Sequence, residues 1–145
     1  MIYIGSDHAG FELKKHIKEF LLKLGHEVAD VGAEEFAADD DYPDYVAKVV
    51  SGVASGNLGI VICGTGIGSC MAANKFRGIR AALAYDEETA RLSKAHNNAN
   101  VLCLGGRTMA LKQAESIVRA WLETQFSGDE RHVRRLKKIE VFENG

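Results

Sequence analysis

The chain has 145 residues, is 46% hydrophobic and 26% charged, and carries a formal net charge of -2. This length suits one globular domain with a continuous core, and the mixed, slightly negative charge excludes a general attraction to nucleic acid or an anionic membrane. The opening Met1-Ile2-Tyr3-Ile4 shows neither a basic leader nor a long apolar run, so no signal peptide or membrane span is expected and a cytoplasmic location is the default.

In chain order, Ile2 to Ile4 reads as a short strand, and Gly5 to Gly10 as a turn into a helix. Phe11, Leu13, Ile17, Phe20, Leu21 and Leu24 recur at helical spacing until Gly25 ends the pattern. Glu27 to Val31 fits a second strand, and Asp39 to Tyr45 a polar loop whose Pro43 opens a helix to about Ser55. A buried strand, Ile60 to Cys63, precedes a helix over Ile67 to Phe76. Strand Ile79 to Ala84, a helix from Asp86 to about Ala95 and strand Val101 to Leu104 follow. Two helical patterns, about Thr108 to Thr124 and Asp129 to Phe142, close the chain with Gly128 between them. This alternation predicts an α/β three-layer sandwich: a five-stranded parallel Rossmann-like sheet of order 2-1-3-4-5, with an additional C-terminal helix, in a single domain over residues 1–145. In such a sheet the ligand crevice lies beyond the carboxyl ends of strands 1 and 3, so the turn bearing Asp7 and His8 should meet the turn bearing Cys63.

The most informative segment is Cys63-Gly64-Thr65-Gly66-Ile67-Gly68. Its glycines allow a tight bend that turns backbone N–H groups toward one point, where the next helix adds its positive end. Such a turn attracts anions, and the same field favours thiolate at Cys63, so one segment offers a base and a cradle for negative charge. The turn lacks a P-loop lysine and dinucleotide-fingerprint spacing, and by itself also fits close helix–strand packing. The three cysteines, Cys63, Cys70 and Cys103, match neither a disulfide framework nor a CxxC zinc site. Cys70 and Cys103 are expected to be packed, reduced thiols. Asp7 suits a turn that caps the first helix, a role compatible with ligand binding. His96, in a polar helix-to-strand loop, has the side chain best suited to proton transfer near neutral pH. Arg131 and Arg135 are four apart and project from one helical face, as a phosphate clamp requires, although a basic face is commonly only solvated. Asp39-Asp40-Asp41 lacks the alternation and glycine of a calcium loop and is read as solvated.

Together, Ser6-Asp7-His8-Ala9-Gly10-Phe11, Asp41-Tyr42-Pro43-Asp44-Tyr45, the cysteine turn, Ala72-Ala73-Asn74-Lys75, Gly78-Ile79-Arg80-Ala81, His96-Asn97-Asn98-Ala99-Asn100 and Arg131-His132-Val133-Arg134-Arg135 give a nearly end-to-end match. On these residues the chain resembles the ribose-5-phosphate isomerase B family, which also includes galactose-6-phosphate isomerase subunits. The resemblance implies cofactor-free, metal-free interconversion of ribose 5-phosphate and ribulose 5-phosphate through ring opening and an enediolate. It also implies a homodimer or dimer of dimers with active sites shared between protomers. One branch of the family uses the cysteine as base, and another carries a glutamate six positions later; here Cys63 is present and the later position is Ser69. Carried over, Cys63, His96 and Thr65 would be catalytic, with His96 opening the sugar ring. Substrate would be held by Asp7, His8, Gly64, Thr65, Gly66, Ile67, Gly68, Asn97, Arg107, Arg131 and Arg135. The alternatives are isomerisation of a six-carbon sugar phosphate, such as allose 6-phosphate or galactose 6-phosphate, and a non-catalytic phosphate-binding module. Chain direction adds one expectation: Cys63 ends its strand whereas His96 precedes the last one, so the two should join only between protomers.

Overall fold

A computed structural model describes all 145 residues, Met1–Gly145. The strands are β1 (Ile2–Ser6), β2 (Val28–Asp30), β3 (Leu58–Cys63), β4 (Ala81–Leu83) and β5 (Val101–Gly105). The helices are α1 (Phe11–Lys23), α2 (Tyr42–Val53), α3 (Ile67–Ala73), α4 (Glu87–Ala95), α5 (Leu111–Glu123) and α6 (Glu130–Asn144). The strands form one parallel sheet with helices on both faces, as a βα alternation requires. No helix is long and apolar enough to cross a membrane.

The expected strand order 2-1-3-4-5 is corrected: the sheet runs β2-β1-β3-β5-β4. Burial gives the reason. All five residues of β5 are buried, whereas the three of β4 are each only partly so. The continuous apolar run Val101-Leu102-Cys103-Leu104 therefore takes the protected place beside β3, and the shorter Ala81-Ala82-Leu83 takes the edge.

Two apolar clusters sandwich the sheet. One joins Ile4, Ile60, Ile62, Leu102 and Leu104 to Leu13, Ile17 and Leu21 of α1 and Ile117, Val118 and Trp121 of α5. The other joins Val61, Val101 and Cys103 to Val46, Val49, Val50 and Val53 of α2 and Ala73 of α3. Successive residues of β3 and β5 feed opposite clusters, the period-two alternation of a pleated strand buried on both faces.

Local signals set the boundaries. Gly25 takes a left-handed φ of 88° just past α1, Pro43 sits in the first turn of α2, and Asp86 caps α4 by accepting from Thr89 N–H at 2.7 Å. α3 stops at Ala73, short of the expected Phe76, and β4 begins at Ala81. Between them Asn74 stitches the segments together, donating to the Ala81 carbonyl at 3.0 Å and accepting from Ala81 N–H at 2.9 Å.

Gly66 and Gly25 separate two costs of adding a methyl group. Both have positive φ, but a Cβ on Gly25 meets nothing within 4 Å, whereas one on Gly66 lies 3.0 Å from the Leu104 carbonyl carbon. Gly25→Ala should cost about 1 to 2 kcal/mol of stability from backbone strain alone. Gly66→Ala should cost distinctly more because β5 must also move. Urea unfolding of both variants checks the order.

Candidate active site

Three loops converge at the carboxyl end of the sheet. After β1, Asp7 closes a short 3-10 turn over His8–Gly10, its Oδ1 accepting from Gly10 N–H at 3.1 Å. After β3, the glycine turn leads into α3. After β5, Gly106 N–H donates to the Cys63 carbonyl at 2.8 Å and Arg107 N–H to the Gly64 carbonyl at 2.9 Å. A Cβ added to Gly64 would lie 3.6 Å from both Ala9 Cβ and Arg107 Cδ, so the glycine turn is flanked by the other two loops. The sequence brings Arg107 to this site without any motif of its own; only the family resemblance singled it out.

Cys63 is 4% exposed at the end of β3. Its Sγ accepts from Gly66 N–H at 3.2 Å and donates to Ser69 Oγ at 3.3 Å, while Ser69 Oγ donates to the Gly66 carbonyl at 3.2 Å. The left-handed Gly66, φ 81°, orients the peptides on either side of its Cα so that this one residue presents its N–H to sulfur and its carbonyl to Ser69. Ser69, fully buried, thus belongs to the thiol's immediate surroundings. Thr65 stays exposed, with Oγ1 accepting from Ile67 N–H at 3.2 Å.

The Asp39–Asp41 segment is not uniformly solvated, contrary to expectation. Asp40 Oδ1 accepts from the His8 backbone N–H at 2.9 Å and lies 2.8 Å from His8 Nδ1. Burial opposes the Asp40 charge, but the hydrogen bonds from the His8 ring and amide and from Tyr45 outweigh it and hold the carboxyl below its ordinary pKa. Tyr45 shifts the other way, raised by burial and by the negative charge of Asp40. Asp7, His8 and Asp40 offer ligand atoms within 4.8 Å of one another.

A second group of expected residues lies elsewhere. His96 caps the C-terminus of α4 and stacks on His132 of α6, with ring centroids 4.2 Å apart and planes 18° from parallel. His132 is buried and its Nε2 has no hydrogen-bond partner; desolvation, then the charges of His96 and Arg131, lower its pKa. Sequence reasoning assigned no role to His132, since an isolated histidine on a basic helix gives no sign that it stacks. Asn97 is exposed beside His96, and Arg131 and Arg135 are exposed on α6. Neither arginine has an acidic partner within salt-bridge distance.

The two groups occupy opposite ends of the sheet. Cys63 pairs with Gly105, whereas Val101, which follows the His96 loop, pairs with Gly59. At about 3.3 Å per residue, the length of β5 alone puts roughly 13 Å between these ends.

The model of the family described as Ribose/Galactose Isomerase matches residues 2–139. The chain belongs to the ribose/galactose isomerase family. It is 48% identical to a probable ribose-5-phosphate isomerase B of Mycoplasma genitalium, the match covering 98% of this chain and 95% of that protein. Identity to the ribose-5-phosphate isomerase B of Mycobacterium tuberculosis is 45%, over 98% of this chain and 89% of that one. Among solved structures, ribose-5-phosphate isomerase B of Clostridium thermocellum superposes with a TM-score of 0.95 at 48% identity, covering 99% of this chain and 97% of the other. The Mycoplasma genitalium enzyme with bound ribulose-5-phosphate gives a TM-score of 0.95 at 46% identity, with coverage of 99% and 95%. Family membership accounts for the fold.

The other two cysteines differ from each other. A hydrogen bond from Cys103 brings the half-buried Cys70 down to about 7, while the same bond and burial push Cys103 well up. Alkylation at Cys70 should therefore accelerate as pH rises through about 7, with Cys103 unreactive in the folded protein. Peptide mapping after brief iodoacetamide treatment at several pH values checks this; early label on Cys103 would contradict it.

Proposed function

We propose that this protein interconverts ribose 5-phosphate and ribulose 5-phosphate, with Cys63 as the base that moves a proton between C1 and C2. The observation that carries this reading is the Cys63 thiol, set in a glycine turn whose Gly66 amide points at the sulfur and flanked by the Asp7-His8 turn and Arg107. Relatives sharing nearly half the sequence are ribose-5-phosphate isomerases B, and one was solved with ribulose-5-phosphate.

The chemistry demands little else. Removing a proton beside a carbonyl makes an enediolate, which needs a base close to carbon and donors directed at the developing oxyanion. Cys63 serves as the base, and the amides of the Gly64–Gly68 turn are the donors, with the Ile67 N–H turning from Thr65 Oγ1 to the oxyanion and the Gly66 N–H remaining on the sulfur. Thr65, exposed at the mouth of the turn, relays a proton between O1 and O2. Asp7 and His8 hold the sugar hydroxyls, with Asn97 contributing from the other group. His96 opens the furanose by proton transfer at the ring oxygen. Arg107, Arg131 and Arg135 take the phosphate, for which exposed guanidiniums without acidic partners are suited.

Since Cys63 and His96 stand at opposite ends of one sheet, the working site combines Cys63 of one protomer with His96 of another in a homodimer or dimer of dimers. Exposed apolar side chains support an interface: Ile67 and Met71 on α3, and Phe76, Ile139 and Phe142 where α6 passes the loop after α3. A cytoplasmic location suits a reduced, cysteine-dependent enzyme.

The first test is ketose formation from ribose 5-phosphate, with allose 6-phosphate and galactose 6-phosphate in parallel. Turnover fastest on the five-carbon substrate supports the reading; preference for a six-carbon substrate keeps the chemistry and changes the substrate. Cys63→Ala should lower kcat by a thousandfold or more, on the order of 4 kcal/mol, while sugar-phosphate binding measured by calorimetry persists. Comparable rates in that variant would remove Cys63 from the base role. Mixing Cys63→Ala with His96→Ala protein under subunit exchange should restore part of the activity. Verified mixed dimers without recovery would show that each chain carries its own site.

A further inference from the structure

The polar loop between β2 and α2 places an acidic side chain against a site residue to which no sequence motif connects it. Asp40 is 32 positions from His8, yet its Oδ1 takes both the His8 amide at 2.9 Å and the ring Nδ1 side at 2.8 Å. The Asp40 side chain is 11% exposed and that of His8 25% exposed. Phe36, from the same loop, meets the His8 ring edge-on at 6.2 Å and Phe11 at 6.1 Å, so the imidazole is held by an acceptor and an aromatic contact together. The start of the loop is anchored as well: the buried Lys14 of α1 donates to Asp30 Oδ1 at 3.1 Å and to the Ala33 carbonyl at 2.8 Å.

We propose that Asp40 is a positioning residue for the isomerase reaction, which acts by fixing the proton of neutral His8 on Nδ1 and so presenting a bare Nε2 that accepts a hydrogen bond from a substrate hydroxyl. The carboxylate can only accept, so a neutral His8 must carry its proton on the nitrogen that faces it. The other nitrogen then has a lone pair, the correct complement to a sugar hydroxyl donor. A free histidine favours the opposite form and would offer a donor instead. The shared acceptor also fixes the ring's orientation, because backbone and side chain of His8 converge on a single oxygen. The inference rests on the sugar-phosphate reading for its consequence in turnover, although the state of the ring can be read without substrate.

The experiment has two arms. In the first, the imidazole nitrogens of 15N-labelled protein are followed well above the ordinary histidine pKa, with the His8 signals identified by their loss in His8→Ala. The unmutated protein should show the proton on Nδ1; a proton on Nε2 overturns the proposal whether or not any variant folds. Asp40→Ala should shift that proton toward Nε2, and Asp40→Asn, which still offers an acceptor oxygen, should recover part of the original signature. In the second arm, Asp40→Ala should lower kcat/KM on ribose 5-phosphate by roughly ten- to a hundredfold, the loss expected for a charge-assisted hydrogen bond. The same substitution should cost almost nothing more in a His8→Ala background. An equal loss in both backgrounds would show that Asp40 acts otherwise than through His8. Inactivity of the unmutated protein on every sugar phosphate would instead defeat the substrate reading, leaving the spectroscopic arm to decide the role of Asp40.

Discussion

The structure depends on one tight passage, where β3 ends and α3 begins within four residues. Cys63 closes the strand and Ile67 opens the helix, so Gly64, Thr65 and Gly66 must reverse the chain while keeping the thiol inside. Gly66 makes this possible by adopting a left-handed conformation against the Leu104 backbone, a place that admits no side chain. The same residue then supplies the N–H that meets Cys63 Sγ and the carbonyl that takes Ser69. Fold closure and thiol placement are thus one event, and neither survives a change in the other.

Around that passage the loops are fixed by backbone contacts more than by side chains. Gly106 and Arg107 bind the carbonyls of Cys63 and Gly64, which sets the Arg107 side chain beside the turn without spending any of its charge. Asp7 uses one oxygen to complete its own turn. The guanidinium is thereby left free for an anion, whereas the acidic groups of the region are engaged by the protein. A site organised in this way favours negative ligands despite the chain's net charge of -2.

Much of the site was legible because its chemistry is local. The glycines beside Cys63 announce a turn wherever they occur, and Asp7 before a glycine and a helix announces a cap. What stayed hidden is what the tertiary structure alone brings together. Asp39-Asp40-Asp41 reads as solvent-facing because polarity is its only local signal, yet Asp40 turns in since the loop, tied down by Lys14 at its start and Pro43-led α2 at its end, crosses the β1 turn. His132 is likewise surrounded in sequence by charge, and its burial comes from α6 lying against the end of α4. Ser69 was noted for what it replaces, while its contact with the thiol follows from the α3 geometry that puts it on the turn facing Cys63.

The strand order carries functional weight beyond topology. Had β4 stood next to β3, its trailing segment with the exposed Tyr85 would border the cysteine turn, and Arg107 would lie one strand farther away. With β5 beside β3, a single strand serves both groups of candidate residues: its carboxyl end delivers Arg107 to Cys63, and its amino end receives the chain directly from His96 to Asn100. All five of its residues are buried, so β5 is among the least deformable parts of the molecule. A rigid strut of this kind fixes the spacing between the thiol end and the histidine end of each chain. If two protomers pair to complete their sites, that spacing also sets where the second site must fall once the first has formed, so the burial that displaced β4 to the edge holds Cys63 and His96 of each chain in register.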